Sequence, residues 1–139
     1  MLKKVFVFFI AVLMIMTFSS CDAINKIKYN YENSAQFVVK SDASVDSELL
    51  DTCVKVITSE ECINYALSKI TTTINCDEFL ENLTIVYVEG SGIINLRFWG
   101  FENENNKIII EAIMEYLQTE IDGISCEPLQ ITTINHKNQ

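Results

Sequence analysis

The sequence predicts an α+β domain with the element order β-α-β-β-α-β, and three observations carry that prediction. The run Thr84 to Val88 is almost wholly β-branched or aromatic, and after Gly90-Ser91-Gly92 a second strand-like run extends from Ile93 to Phe101. Glycine readily adopts the positive φ of a short reversal, so these residues predict a β-hairpin. One long amphipathic segment follows the hairpin, and a strand-like run lies at each end of the domain.

A strand and two helices are predicted ahead of the hairpin. Alternation of apolar and polar residues predicts a half-buried strand from Tyr31 to Lys40. A first helix over 46–57 can be capped by Asp46 or Ser44, and a second helix over 59–70 can be capped by Ser59, because these side chains accept hydrogen bonds from free backbone amides. A short helical turn over 77–82 is then expected, with Asp77 as its cap.

The remaining elements follow the hairpin. A long helix is predicted from Asn103 until Gly123, a residue suited to a helix C-terminus. Its apolar stripe consists of Ile109, Ile113, Tyr116, Leu117 and Ile121. The final strand, Ile124 to Ile134, contains Pro128, and since proline cannot donate to a ladder, this strand should lie at a sheet edge or be bulged. The polar tail that includes His136 is expected to be frayed.

This order suits a ferredoxin-like arrangement, in which helices cover one face of a four-stranded antiparallel sheet. On the second hairpin strand Ile94, Leu96 and Phe98 would meet the core, whereas Asn95, Arg97 and Trp99 would lie on the opposite face. We predict an interaction surface at Asn95, Arg97 and Trp99, because an exposed indole beside a guanidinium is enriched where proteins meet. In the alternative, Trp99 packs under the connector or fills a second small core, with Arg97 covering it.

The first 20 residues have the pattern of an export signal. Lys3-Lys4 is followed by an apolar run from Val5 to Phe18 and by small residues up to Cys21. We expect a cleaved signal peptide or a retained signal anchor over 1–20, a connector over 21–30, the α+β domain over 31–134 and the frayed tail over 135–139. Phe18-Ser19-Ser20-Cys21 resembles a bacterial lipobox, which implies lipidation of Cys21.

The charge of the chain excludes some partners. It carries 10 basic and 19 acidic residues, a net charge of −9, and removal of Lys3 and Lys4 makes the balance −11. Such an acidic domain does not suit nucleic acid, whose phosphates need a basic face.

Besides Cys21 there are four cysteines, Cys53, Cys62, Cys76 and Cys126, which could form disulfides in an exported domain. Cys53 and Cys62 fall on apolar helical stripes, however, and buried free thiols are favoured. No pair has C-x-x-C spacing and the single histidine lies in the tail, so we expect no metal and no cofactor.

The sequence contains no motif that predicts an enzyme. Gly90-Ser91-Gly92 is short and precedes a strand, so it does not form the loop and helix that cradle phosphate. The acidic pairs Glu60–Glu61 and Glu102–Glu104 stand near predicted helix starts, where carboxylates favour stability. We therefore expect a protein without catalytic residues.

Three stretches resemble the Wzz-type chain-length determinants, the polysaccharide co-polymerases. Residues 29–40, which include Tyr-Glu-Asn-Ser-Ala-Gln-Phe-Val-Val, resemble the family's first extracytoplasmic strand. Residues 49–70 are similar to its helical region, and residues 91–96 with 102–117 are similar to its strand, acidic loop and helix. The likeness extends over about 29–134 and lacks the family's second transmembrane helix, so it describes a shortened relative.

The resemblance implies a domain that is not an enzyme and that oligomerises outside the inner membrane while a separate polymerase makes polysaccharide. We therefore expect an extracytoplasmic domain, tethered to the bacterial inner membrane by its N-terminus, that acts through contacts with itself or with polysaccharide-assembly proteins. The alternative is a small exported lipoprotein that binds a ligand or has another envelope role, for which a concave apolar pocket is expected.

Overall fold

The computed structural model describes residues 29–137, which form one antiparallel sheet with helices on one of its faces. In chain order the elements are β1 (Tyr31–Ser41), α1 (Ser47–Ile57), α2 (Glu60–Leu67), α3 (Cys76–Glu81), β2 (Thr84–Tyr87), β3 (Ile93–Trp99), α4 (Asn103–Glu120) and β4 (Ile124–Asn135). The strand order is β2-β3-β1-β4 and every neighbouring pair is antiparallel. Each helical crossover therefore skips one strand, and the predicted ferredoxin-like fold is confirmed.

The core lies between the helices and the alternate side chains of the two central strands. Ala35, Phe37 and Val39 of β1 lie beside Ile94, Leu96 and Phe98 of β3, and all six are buried. The predicted stripe of α4 is buried at Ile109, Ile113 and Leu117, but only partly at Tyr116 and Ile121. Burial of α4 also extends to Ile110, Ala112 and Met114, because the helix packs against β4 as well as against α2.

The helix ends differ from the predictions by a few residues. Asp46 accepts a hydrogen bond from the Leu49 amide and Ser59 from the Cys62 amide, as predicted. In α3 the cap is Asn75 instead of Asp77, since Asn75 accepts from the Glu78 amide at 2.9 Å and the helix starts earlier.

Two helices also end before their predicted limits. Helix α2 ends at Leu67, short of Ile70. Helix α4 ends at Glu120, where Ile121 turns extended, and Gly123 with φ +78° serves the turn into β4.

Turns and breaks in the sheet follow from glycine and proline. In the hairpin Gly92 has φ +71°, and a Cβ there would approach the Val39 carbonyl oxygen to 2.9 Å. Strand β3 ends at Trp99, two residues before the predicted limit, because Gly100 leaves the strand with φ +109°. Strand β4 lies at the sheet edge and its register shifts beside Pro128, so that Leu129 has no partner on β1; both predictions for this strand are confirmed.

A buried polar network joins the start of α4 to the sheet. Asn33 of β1 accepts from the Phe101 amide at 3.0 Å and donates to the Phe101 carbonyl at 2.7 Å and to Thr133 Oγ1 at 3.0 Å. Asn106 of α4 donates to the Thr132 carbonyl and to the same Thr133 hydroxyl, both at 3.0 Å. Both asparagines are fully buried. The network therefore fixes the β3–α4 connection against β1 and β4.

The four cysteines within residues 29–137 are free thiols. Cys53 and Cys62 are buried, and burial raises the pKa of the Cys53 thiol to about 11 and that of Cys62 to about 12. Burial also raises the pKa of the half-buried Cys126 to about 12. These thiols are protonated at neutral pH and pack as small apolar groups.

Candidate functional site: the open face of the sheet

The face of the sheet opposite the helices is the candidate site, and we call it the open face. Strand register places its side chains in two rows that cross all four strands. The rows are Thr84–Arg97–Ser34–Thr132 and Val86–Asn95–Gln36–Gln130. Together with parts of Ala35 and Leu96 they line an open groove of about 360 Å³. Six of its ten lining residues carry an amide or a hydroxyl, so the groove offers both donors and acceptors beside apolar surface.

The predicted surface residue Asn95 lies in the middle of this groove. It is half-buried, with Gln36 of β1 on one side and Val86 of β2 on the other. Arg97 lies in the next row, and its guanidinium forms an ion pair with the Glu32 carboxylate of β1. The structure therefore places Asn95 and Arg97 together on the open face, as predicted.

Trp99 is on the same face but is not an exposed indole. Its side chain is only 3% exposed, because the imidazole of His136 stacks on it with ring centroids 5.5 Å apart and planes 27° apart. The prediction of an exposed Trp99 is therefore wrong, and the indole belongs to a second small cluster, as the alternative interpretation held. What residues 24–28 of the connector contribute lies outside the described residues.

His136 was expected in a frayed tail and instead extends the sheet. Its amide donates to the Asn30 carbonyl at 2.7 Å, which continues the pairing of β4 with β1 beyond Asn135. Its Nε2 lies 2.9 Å from Glu32 Oε2, and its side chain is 10% exposed. A polar tail can thus be ordered where a carboxylate and an aromatic ring meet its side chain.

Glu32 is the centre of what we call the Glu32 cluster, which consists of Glu32, Arg97, Trp99 and His136. Burial by itself raises the pKa of the Glu32 carboxyl, but hydrogen bonds from His136 and Arg97, together with their charges, outweigh it and lower the pKa below its usual value. The ionised carboxylate thus holds the guanidinium and the imidazole in place at one end of the groove.

Sequence reasoning missed Glu32 and His136 as members of this site. Alternation along β1 does place Glu32 on the polar face, but its pairing with Trp99 depends on the register between β1 and β3. These strands are distant in sequence, and no local pattern specifies which residues face each other.

Metal ligands, membrane-spanning helices and the predicted lipidation site are the remaining features to place. Residues 29–137 contain no group of three or more side chains that could hold a metal ion. Their helices are all too short or too polar to cross a membrane. The predicted lipidation site, Cys21, lies outside the described residues.

Comparison with known proteins leaves the family open. No family model matches this sequence, and no curated protein is similar to it. The fold and the site define a ferredoxin-like α+β domain in which residues 29–137 leave one face of the sheet uncovered. The resemblance to the Wzz-type proteins stays a prediction that rests on the residues quoted above.

Proposed function

We propose that this protein is a non-enzymatic extracytoplasmic domain that acts by protein contacts in cell-surface polysaccharide biosynthesis or chain-length control. It is tethered by its N-terminus to the outer side of the bacterial cytoplasmic membrane. The observation that carries the proposal is the open face, since helices cover one side of the sheet and leave a polar groove across the other. The three stretches that resemble Wzz-type proteins lie on β1, on α1 with α2, and on β3 with α4.

The groove has the properties of a contact surface. Asn95, Gln36 and Gln130 each bring an amide that donates and accepts, so a partner's polar groups can be satisfied without a buried charge. Arg97 is already held by Glu32. Because its side chain is ordered before binding, a partner would lose less conformational entropy on contact.

Several features support a role without catalysis. Within residues 29–137 the imidazole of His136 is stacked on Trp99 and only 10% of its side chain is exposed, which limits its access to a substrate. The raised pKa values of Cys53 and Cys62 make these thiols poor nucleophiles. The carboxylates of Glu60, Glu61 and Glu104 lie in the first turns of helices, where they favour helix stability.

The membrane tether belongs to the proposal as well. Residues 1–20 would act as signal peptide or anchor, and a lipid on Cys21 would hold a cleaved chain at the membrane. Either form places the domain on the extracytoplasmic side, where surface polysaccharide is assembled.

Deletion of the protein from its native cells tests the role. We expect the length distribution of surface polysaccharide to change and to return when the full-length chain is supplied again. Cells that lack the protein but make polysaccharide of unchanged length would contradict the proposal.

The groove also favours one form of the alternative function, a small exported lipoprotein that binds a ligand. Its amide and hydroxyl lining suits a polar ligand better than the apolar one that a concave apolar pocket would hold. Calorimetric titration of the purified chain with neutral oligosaccharides distinguishes the two functions. Saturable binding together with unchanged polysaccharide length in deletion cells would favour the ligand-binding lipoprotein.

A further inference from the structure

Among residues 29–137, the outer edge of β4 is left without a backbone partner along only half of its length. Val39 of β1 donates to the Gly92 carbonyl, and the Tyr31 carbonyl accepts from Gly100, so odd-numbered residues of β1 bond toward β3. The backbone groups of even-numbered residues of β1 therefore bond toward β4, where Glu32 pairs with Ile134 and Ser34 with Thr132. Alternation then turns the backbone N–H and C=O groups of three β4 residues away from the sheet. These residues are Ile131, Thr133 and Asn135.

The first half of the same edge is closed. The outward amide of Cys126 donates to Gln118 Oε1 at 3.1 Å, and Pro128, the next outward position, has no amide hydrogen. The register shift at Leu129 interrupts the edge a second time. Prolines, bulges and covering side chains protect edge strands from pairing with other chains. In β4 these features are found up to Leu129 and not beyond it.

The opposite edge of the sheet is much shorter. Strand β2 has four residues, and only Ile85 and Tyr87 direct their backbone groups outward, because Val88 donates to the Ile93 carbonyl and fixes the alternation. The β2 edge thus offers only two outward residues for pairing, one fewer than the open half of β4.

We propose that the open half of β4 pairs with the same segment of a second copy of this chain, in antiparallel orientation, to make one continuous sheet. With Thr133 opposite itself, Ile131 of each copy faces Asn135 of the other, and every outward amide gains an acceptor. Ile134, an exposed apolar side chain at 42%, then lies beside Thr132 of the second copy on the open face.

Charge favours a second copy at this segment. Two chains of net charge −9 repel each other over most of their surface, but Pro128 to Asn135 carries no charge. Glu127 and Lys137 flank the segment with opposite signs. With Thr133 opposite itself, Lys137 of each copy faces Leu129 of the other, two residues from Glu127, and this approach occurs twice by symmetry. The Glu127 carboxylate also pairs with Lys40 of its own chain at 2.8 Å. This inference rests on the protein-contact role proposed above and adds a contact with a second copy at the edge of the sheet, separate from the groove of the open face. Its test is independent of polysaccharide length.

The mass of the purified full-length chain in detergent, measured by light scattering across a wide range of protein concentration, tests the pairing. We expect the mass of two chains for the wild type and of one chain for Ile134→Lys, which places a charge in the paired segment. Val88→Lys is the matched control, because Val88 is 55% exposed next to the opposite edge, and it should keep the mass of two chains. If Ile134→Lys fails to fold by circular dichroism, Asn135→Pro removes an outward amide and should give one chain.

Amide hydrogen exchange locates the contact independently. The amides of Ile131, Thr133 and Asn135 should be protected in the wild type and unprotected in Ile134→Lys, whereas those of Ile85 and Tyr87 should exchange rapidly in both. A wild type that has the mass of one chain overturns the proposal, and so does a two-chain mass that survives Ile134→Lys. Rapid exchange at the three β4 amides in a two-chain species would assign association to another part of the chain. Protection of these amides only in the presence of another protein would assign the edge to a foreign strand instead.

Discussion

The two faces of the central sheet are made from alternate residues of the same strands, yet they differ in how their polar groups are used. On the helix-covered face Asn33 is buried and bound to backbone and side-chain groups that close the fold. On the open face of the same two strands, Asn95 and Gln36 line an accessible groove. A buried amide group without a hydrogen-bond partner destabilises the fold, whereas an accessible amide group can bond to water until a partner replaces it. We infer that the first face specifies the fold and the second presents contacts.

The open face itself has two parts with different properties. The Glu32 cluster at one end is packed, with Trp99 and His136 nearly buried. The groove across the middle stays accessible. Arg97 belongs to both parts. Its guanidinium is held by Glu32 in the cluster, and its side chain still lines the accessible groove.

Phe98→Ala should have the largest effect and sharpen the contrast between the faces. Phe98 is fully buried against Phe79 and Phe101, with ring centroids 5.0 and 5.7 Å away. Its loss should reduce the free energy of unfolding by roughly 3 to 5 kcal/mol in urea titration. Gln36→Ala, on the open face, is the control and should change it by less than about 0.5 kcal/mol. Equal effects at the two positions would remove the distinction.

Trp99→Ala tests whether the packed end of the open face stabilises the fold. We expect a loss of about 3 kcal/mol in the free energy of unfolding, at the low end for a buried tryptophan, because the indole packs against His136 on the open face rather than in the main core. Thermal and urea unfolding measure it, with Trp99→Phe as a milder variant that keeps an aromatic ring. An unchanged melting temperature would contradict a stabilising role for the packed indole.

Asn33→Ala breaks the buried polar network on the helix-covered face. The Phe101 amide and carbonyl would each lose a partner, at a cost of about 2 kcal/mol. The exchange rate of the Phe101 amide should rise together with the loss of stability, whereas Ser34→Ala, the neighbouring residue on the open face, should alter neither. A Phe101 amide that stays protected would show that the network does not hold this connection.

Glu32→Gln tests the electrostatics of the Glu32 cluster and should have a smaller effect, about 1 kcal/mol at neutral pH. The folded-state pKa of Glu32 is below the ordinary carboxyl value of 4.5, so its contribution to stability is complete above that value and is lost as the pH falls through the lowered pKa. Wild type and Glu32→Gln should therefore converge in acid. A stability difference that does not depend on pH would contradict the ionised carboxylate as its source.

The elements of this fold were predictable because their signals are local. The alternation in β1 and β3, the apolar stripe of α4, the caps Asp46 and Ser59, and the edge position signalled by Pro128 can all be read within a few residues. The predicted cap of α3 is wrong because Asn75 and Asp77 are both good capping residues two positions apart, and the local sequence does not distinguish them.

The site was less predictable because its contacts join distant parts of the chain. Asn95 and Arg97 were placed on the correct face by alternation alone. Alternation does not predict the burial of Trp99, because His136 covers the indole. His136 is 37 residues further along the chain and reaches the same end of the sheet through the pairing of β4 with β1. Register between strands that are far apart in sequence is set by the whole core, so a local pattern cannot supply it.

The most direct test of the central claim is a variant that fills the groove without touching the core. Gln36 is exposed in the middle of the groove, and Thr119 is an exposed residue of α4 on the helix side. Gln36→Arg should leave the free energy of unfolding within about 0.5 kcal/mol of the wild type. It should nevertheless change the length distribution of surface polysaccharide as deletion of the protein does, whereas Thr119→Arg should not. A stably folded Gln36→Arg protein that restores the wild-type length distribution would contradict the claim that the open face is the contact surface.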